Sequence, residues 1–452
     1  MKALTPRDLA LKVLSAGNRS PGFTERRLKK AFEQNPHIDE RDRAFATNLV
    51  QGVLRWRLRI DRSIEKASSL PFKKINPQII NILRIAIYQI FFLDRLPESA
   101  AVNEAVKQAK KKFPDHVAGF VNGILRNICR RKDQPVFPDP KKDKVSYLSI
   151  YYSYPPWLIK KWIREIGGDS TQSLLSAGNK IPELVIRLNS MKIDRDSLLK
   201  RLKEEGVGSE PTTFSPEGII INSLKGPVNR LKTCQEGLFQ VQSEPAQICS
   251  YFISPAPGEK ILDICSGLGG KSTHLAQLMR GRGTVFALDI NHPRLIKLNE
   301  NSRRLGICNI QPVVADACSH LSSLFRQPFD KILVDGPCSA LGTISRHPDG
   351  KWCRDGNDIK RLSGLQKKIL NQGTPLLKKG GYLLYMTCTI SKDENEDVVK
   401  YYLETNKEMV LENLGDHVPD WGHDLIDDSG FFKSLPHIHG IDGFFGALFR
   451  KL

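Results

Sequence analysis

Long hydrophobic runs are scarce in this 452-residue chain. The most apolar one is "IINILRIAIYQIFFL" (Ile79–Leu93); Arg84 interrupts it, and it is too short to span a bilayer. No membrane association is therefore expected. The stretch Met1–Asn18 carries Lys2, Arg7, Asp8 and Lys12 and has no apolar core, so a secretory signal is not expected and a cytoplasmic location is. The nine cysteines are an odd number and include no CxxC pair, which argues against a disulfide framework. No Cys/His cluster has zinc spacing, so no metal is expected. Internal repeats are also lacking, which excludes a solenoid. With 40% hydrophobic and 26% charged residues, large-scale disorder is excluded as well.

What is present is uneven charge. Residues 1–144 hold 30 Lys and Arg against 15 Asp and Glu, whereas residues 145–452 hold 38 against 34. A basic N-terminal third on a nearly neutral remainder predicts a polyanion-binding module, with nucleic acid as the partner. The charge does not separate RNA from DNA.

Periodicity divides the chain. Residues 5–130 read as helices: Leu9, Val13 and Leu14 share one face, Ala46, Leu49, Val50 and Val53 another, and Ile79, Leu83, Ile87 and Phe91 recur every four residues. Ser99 is the expected cap of the helix that follows "LPES". Residues 133–144 are the clearest linker, within the Pro-rich, charged stretch "KDQPVFPDPKKDK". Residues 145–245 read as a small α+β region. From Lys260 onward strands and helices alternate, with "KILDI", "GTVFALD", "NIQPVVAD", "FDKILVD" and "GGYLLYMTC" as strands. The expectation is a doubly wound parallel sheet with its ligands at the carboxyl ends of the strands. The chain is thus multi-domain, with an α/β Rossmann-like domain over 246–452.

The segment "ILDICSGLGGKST" follows one strand and opens a helix. It is not a P-loop, because Cys265 stands where that motif needs its first glycine. Gly267, Gly269 and Gly270 fit a dinucleotide fingerprint only loosely. The third reading is S-adenosylmethionine, with its carboxylate at the helix N-terminus. Three acids at strand ends favour it: Asp289 for the ribose hydroxyls, Asp316 for the adenine amino group, and Asp335.

Two cysteines follow strands of the same pattern, Cys338 in "DGPCS" and Cys388 in "TCT". A lone cysteine is usually a small buried hydrophobe. Two at the ligand edge of a methyl-donor sheet point to carbon 5 of a pyrimidine, a poor nucleophile until a thiolate adds at carbon 6. The residues alone do not rank the two thiols.

The whole set resembles the RNA cytosine-5 methyltransferases, and most closely the bacterial small-subunit ribosomal RNA enzymes of the Sun/Fmu type. The resemblance rests on "LRIAIYQIFFLDRLPESAAVNEAVKQAK", "FVNGILRN", "FQVQSEPAQ", "DGPCSALGTISRHPDGKW" and "GIDGFFGALFRK". It implies a NusB-like all-α RNA-binding domain over 1–132, a small α+β RNA-binding region, and a catalytic domain. It implies that Cys388 is the nucleophile and that Cys338 assists product release. Cofactor binding would fall to Cys265, Ser266, Gly267, Leu268, Gly269, Gly270 and Lys271, with Asp289, Asp316 and Asp335. The loop "CSGLGGK" departs from the family's C-A-A-P-G-G-K. The implied substrate is 16S ribosomal RNA and the implied state a monomer. A transfer-RNA cytosine-5 enzyme and a non-catalytic RNA-binding or transcription factor are the alternatives.

Overall fold

A computed structural model describes residues 4–16, 23–94, 96–132 and 137–452. Residues 133–136 of the expected linker lie outside the described residues. The chain packs as two compact units, one of residues 1–180 with 344–354, the other of 181–343 with 355–452. The region 145–245 is therefore shared between them.

The first unit is helical. Its central helix, Pro77–Phe92, starts where Asn76 accepts a bond from the Gln78 N–H and Pro77 pre-sets the first turn. Ile79, Leu83 and Ile87 are buried, as are most residues around them, so this helix is enclosed by its neighbours. Arg84 is accommodated by a two-pronged ion pair to Asp61, at 2.7 Å for each bond. Gly52 leaves room for Tyr88, because a Cβ there would lie 1.9 Å from its ring. Ser99 is not the cap expected from sequence. The helix Glu98–Lys110 starts two residues earlier than that cap implies, with the Pro97 carbonyl accepting from the Ala100 and Ala101 N–H groups. Ser99 thus lies inside the first turn.

The segment 344–354 is built into this helical unit. Lys351 is 1% exposed, and its ammonium donates to the carbonyls of Arg55 and Ser153 and to Asn179 Oδ1 at 3.1, 3.2 and 2.6 Å. It also lies 3.6 Å from the centroid of the Tyr154 ring. The Trp352 indole donates to Leu54 O at 2.7 Å. Burial pushes the Lys351 pKa well below its ordinary value.

The second unit holds two sheets. The smaller is antiparallel, in the order β2 (Gly208–Pro211), β3 (Gly218–Ser223), β1 (Leu184–Leu188), β4 (Phe239–Val241). The larger contains β5 (Lys260–Ile264), β6 (Thr284–Asp289), β7 (Ile310–Val314), β8 (Phe329–Asp335), β9 (Leu377–Thr387), β10 (Met409–Glu412), β11 (Phe432–Ser434) and β12 (Phe444–Lys451). Its order is β10-β12-β9-β8-β5-β6-β7, with β11 beside β12.

Strands β5 to β9 are mutually parallel where they pair. The sheet is mixed, not purely parallel: β12 runs antiparallel to β9, β10 and β11. Both faces are covered, which explains the near-continuous apolar runs. Along β5 and β9, Ile261, Leu384 and Met386 enter one core while Leu262, Ile264, Leu383 and Tyr385 enter the other. The order reverses at β5, which pairs with β6 on one side and β8 on the other. Ligands bind in such sheets at that switch point, beyond the carboxyl ends of the strands.

Candidate active site

The ends of five strands, β5 to β9, carry the candidate site residues. The loop after β5 turns sharply, with Cys265, Gly267 and Gly269 all at positive φ (68°, 60° and 79°). At Gly269 a Cβ would also lie 2.4 Å from Leu298, so glycine is required there twice over. The helix Gly270–Leu278 begins directly after it, leaving its first N–H groups for a ligand. Leu268 is 55% exposed at this turn. The Ser266 N–H donates to Leu288 O at 2.8 Å, tying the loop to β6.

Asp289, buried at the end of β6, holds this loop from the other side. Its Oδ2 accepts from the Gly267 N–H at 2.9 Å and its Oδ1 from the Asn291 N–H at 2.7 Å. Asp335 ends β8 and pairs with Lys271 at 2.6 Å. Burial disfavours the Lys271 charge, but Asp335 and its other neighbours outweigh that and raise its pKa. Asp316 stands two residues beyond β7, exposed, with Oδ1 accepting from the Cys318 N–H at 2.9 Å.

The two thiols meet. β8 and β9 are parallel neighbours with Asp335 opposite Met386, so the residues just past their ends are adjacent. The Gly336 N–H donates to Met386 O and the Gly342 N–H to Cys388 O, each at 3.1 Å. Cys338 Sγ and Cys388 Sγ lie 3.2 Å apart, both partly exposed and neither in a disulfide. The bond with Cys388, burial, and the Cys388 and Glu394 charges push the Cys338 pKa well above its ordinary value. By contrast Cys265, between the loop glycines and the strand, is raised by burial and by Asp335 and Asp289. It is a poor thiolate.

Behind the loop lies a polar network that the sequence did not reveal. Arg187 of β1 is 1% exposed and donates to Gly270 O at 2.8 Å, to Thr273 Oγ1 at 3.2 Å and to Gln242 Oε1. His274 Nε2 meets Glu217 Oε2 at 2.6 Å. Burial opposes the Glu217 charge, but His274, Arg187 and Ser190 hold its carboxyl at about 2. Burial and Arg187 lower the His274 pKa, so its neutral ring donates to the carboxylate. The first turn of the helix that opens the loop is thereby anchored to the small sheet.

Asp263 of β5 is 1% exposed, bonded through Oδ2 to Ser272 Oγ at 2.5 Å, and its Oδ1 has no hydrogen-bond partner. Burial first, and then the nearby Asp335 and Asp289, raise its pKa to about 7. The folded state then holds a proton that the unfolded chain releases near pH 4. Stability should fall as pH rises from about 4 to 7, by at most about 1.4 kcal/mol per pH unit. Thermal melts of Asp263→Asn against wild type should show that slope reduced in the variant.

Among the described residues, no group of three His, Cys, Asp or Glu side chains could hold a metal ion. Nor is any helix among them long and apolar enough to cross a membrane.

Comparison with known proteins agrees with this architecture. The family model described as "16S rRNA methyltransferase RsmB/F" matches residues 250–450. The NusB family matches 4–130 and an RsmF/B-like ferredoxin-like domain matches 154–229. The "Probable ribosomal RNA small subunit methyltransferase B" of Bacillus subtilis (strain 168) is 33% identical over 100% of both chains. The "Ribosomal RNA small subunit methyltransferase B" of Escherichia coli O7:K1 is 33% identical over 92% of each chain. The crystal structure of PH0851 superposes with a TM-score of 0.80 at 26% identity, covering 99% of both chains. With a NusB domain, a ferredoxin-like domain and a methyltransferase domain in that order, the chain belongs to the RsmB/F family of 16S rRNA methyltransferases.

Proposed function

We propose that this protein methylates carbon 5 of a cytosine in small-subunit ribosomal RNA, with S-adenosylmethionine as methyl donor and Cys388 as nucleophile. The observation that carries this reading is the pair of thiols 3.2 Å apart, just past the ends of β8 and β9. Transfer to oxygen or nitrogen needs no thiol. Carbon 5 of a pyrimidine does.

The residues present fit the donor. Its carboxylate suits the N–H groups of the helix that starts at Gly270, and Asp289 suits the ribose hydroxyls. Asp316 suits the adenine amino group. When bound, the donor supplies a methyl group on a positively charged sulfur.

The Cys388 thiolate forms a bond to carbon 6, and the carbon 5–carbon 6 π electrons move to carbon 5. Carbon 5 takes the methyl group, and the electrons of the broken sulfur–methyl bond stay on the donor sulfur. A base then removes the carbon 5 proton. Those electrons restore the double bond and expel the Cys388 thiolate. Cys338, in contact with Cys388, assists this release. The Lys271–Asp335 pair keeps a fixed charge pattern beside the loop.

Residues 1–132 are read as the RNA-binding domain, 133–144 as a linker, 145–245 as a second RNA-binding region and 246–452 as the catalytic domain. The basic excess of residues 1–144 supplies phosphate contacts, so RNA binding should weaken as salt rises. The test is transfer of labelled methyl from S-adenosylmethionine to protein-free ribosomal RNA from cells lacking the gene. Label in 16S RNA supports the reading. Label only in transfer RNA, or none with bound donor, contradicts it.

A further inference from the structure

One buried side chain joins the turns that carry the two cysteines. Glu394 is fully buried in the short turn Lys392–Glu394. Its Oε1 accepts from the Ser339 N–H at 2.8 Å and from Gln366 Nε2 at 3.2 Å, and its Oε2 accepts from Ser339 Oγ at 2.5 Å. Ser339 Oγ also meets Thr389 Oγ1 at 2.8 Å. Ser339 directly follows Cys338, and Thr389 directly follows Cys388. Gln366 donates as well to Pro337 O at 3.0 Å, and the Tyr385 hydroxyl to Glu394 O at 2.5 Å. The next residue, Asn395, stands at the N-cap of helix Glu396–Thr405, but its side chain makes no cap bond. Its side chain accepts from Thr387 Oγ1 at 2.7 Å and donates to Thr389 O at 3.0 Å. These hydrogen bonds of the Glu394 carboxyl thus bear on the two cysteine turns.

Its Oε1 accepts from two N–H donors, which suits a negative charge. A negative charge close to a thiol disfavours its ionisation. Among the described residues, the titratable groups facing the cysteine pair include Tyr385 and Glu394 beside Cys338 and Cys249 beside Cys388, with Asp335 beyond them paired to Lys271. Burial, Cys338, Glu394 and Asp335 likewise raise the Tyr385 pKa. The cation among the groups named here is Lys271, and Asp335 engages it. A proton on Cys338 can be donated across 3.2 Å to the Cys388 sulfur, which is what a thiolate at Cys388 needs.

We propose that Glu394 is a positioning residue for the cysteine pair, holding the two turns in register and keeping the shared proton on Cys338 so that Cys388 is the free thiolate. This rests on the reading of Cys388 as nucleophile and adds what sets the division of labour. Glu394 acts through the cysteines, not on the RNA.

The test is pH-dependent alkylation of the full-length protein by iodoacetamide, with each cysteine read by peptide mass spectrometry. No RNA or methyl donor is present, so its failure is separate from failure of methyl transfer. In wild type, Cys338 should label only at pH above that of an ordinary thiol. In Glu394→Gln, the Cys338 midpoint should fall by about one pH unit. Glu394→Asp keeps the charge and should leave that midpoint close to wild type. An unmoved Cys338 midpoint in a folded Glu394→Gln protein overturns the proposal, as do equal shifts in the Gln and Asp variants. If Glu394→Gln does not fold, wild type still decides: Cys338 labelling at the pH of an ordinary thiol overturns the proposal.

Discussion

Cys388→Ala is expected to lower methyl transfer by at least about 10⁴-fold while binding of S-adenosylmethionine stays near wild type. The loss is large because the thiolate does more than polarise the base. Without a bond at carbon 6, carbon 5 stays part of an electron-poor aromatic ring and has no electron pair to offer the methyl group. Cys338 does not substitute for it. Its proton is held by Cys388, by burial and by Glu394, and its turn is fixed through Ser339. The proposed donor site comprises the loop after β5 and Asp289, and the bonds described for that loop do not include the thiol at the end of β9. Calorimetry and single-turnover transfer separate the two effects. A Cys388→Ala protein that methylates at the normal rate would remove the nucleophile assignment.

Cys338→Ala should fail later in the cycle. Methyl transfer to carbon 5 is then complete or nearly so, but expulsion of Cys388 is slowed, by about 10²-fold or more as for other lost proton-transfer groups. Covalent RNA–protein complex should accumulate and migrate as a retarded band on denaturing gels. The band should be absent from wild type and from the Cys338→Ala, Cys388→Ala double variant. The double variant matters because the thiols are in contact and their effects are not additive. A retarded band from Cys388→Ala and none from Cys338→Ala would reverse the two roles.

Much of the fold was legible because β5 to β9 announce themselves locally. Each is a short apolar run closed by a turn, and "KILDI" and "FDKILVD" coincide with strands to the residue. The antiparallel edge was not legible. β12 packs its side chains into cores on both faces, so "FFGALFRK" carries no alternation to give its direction, and its partner β9 lies far away in sequence. Ser99 misled because a capping residue next to a proline turn is ambiguous, and the Pro97 carbonyl took the role.

The site divides in the same way. The loop glycines, Asp289, Asp335 and both cysteines could be placed at strand ends from pattern alone. Their partners could not. Arg187 reaches Gly270 across 83 positions, His274 meets Glu217 across 57, and Ser339 meets Glu394 across 55. These contacts exist only once the small sheet and the end of β9 are folded against the cofactor helix. The buried Lys351 likewise reads as one more surface lysine until Ser153 and Asn179 are brought around it.

The central claim is that this chain places a methyl group on carbon 5 of a cytosine in small-subunit ribosomal RNA through Cys388. Bisulfite sequencing of 16S RNA tests it most directly, comparing cells with the gene, without it, and with the Cys388→Ala allele. One cytosine should resist conversion with the wild-type gene and convert fully in the other two. Identical conversion in all three, or protection restored by the Cys388→Ala allele, would contradict it.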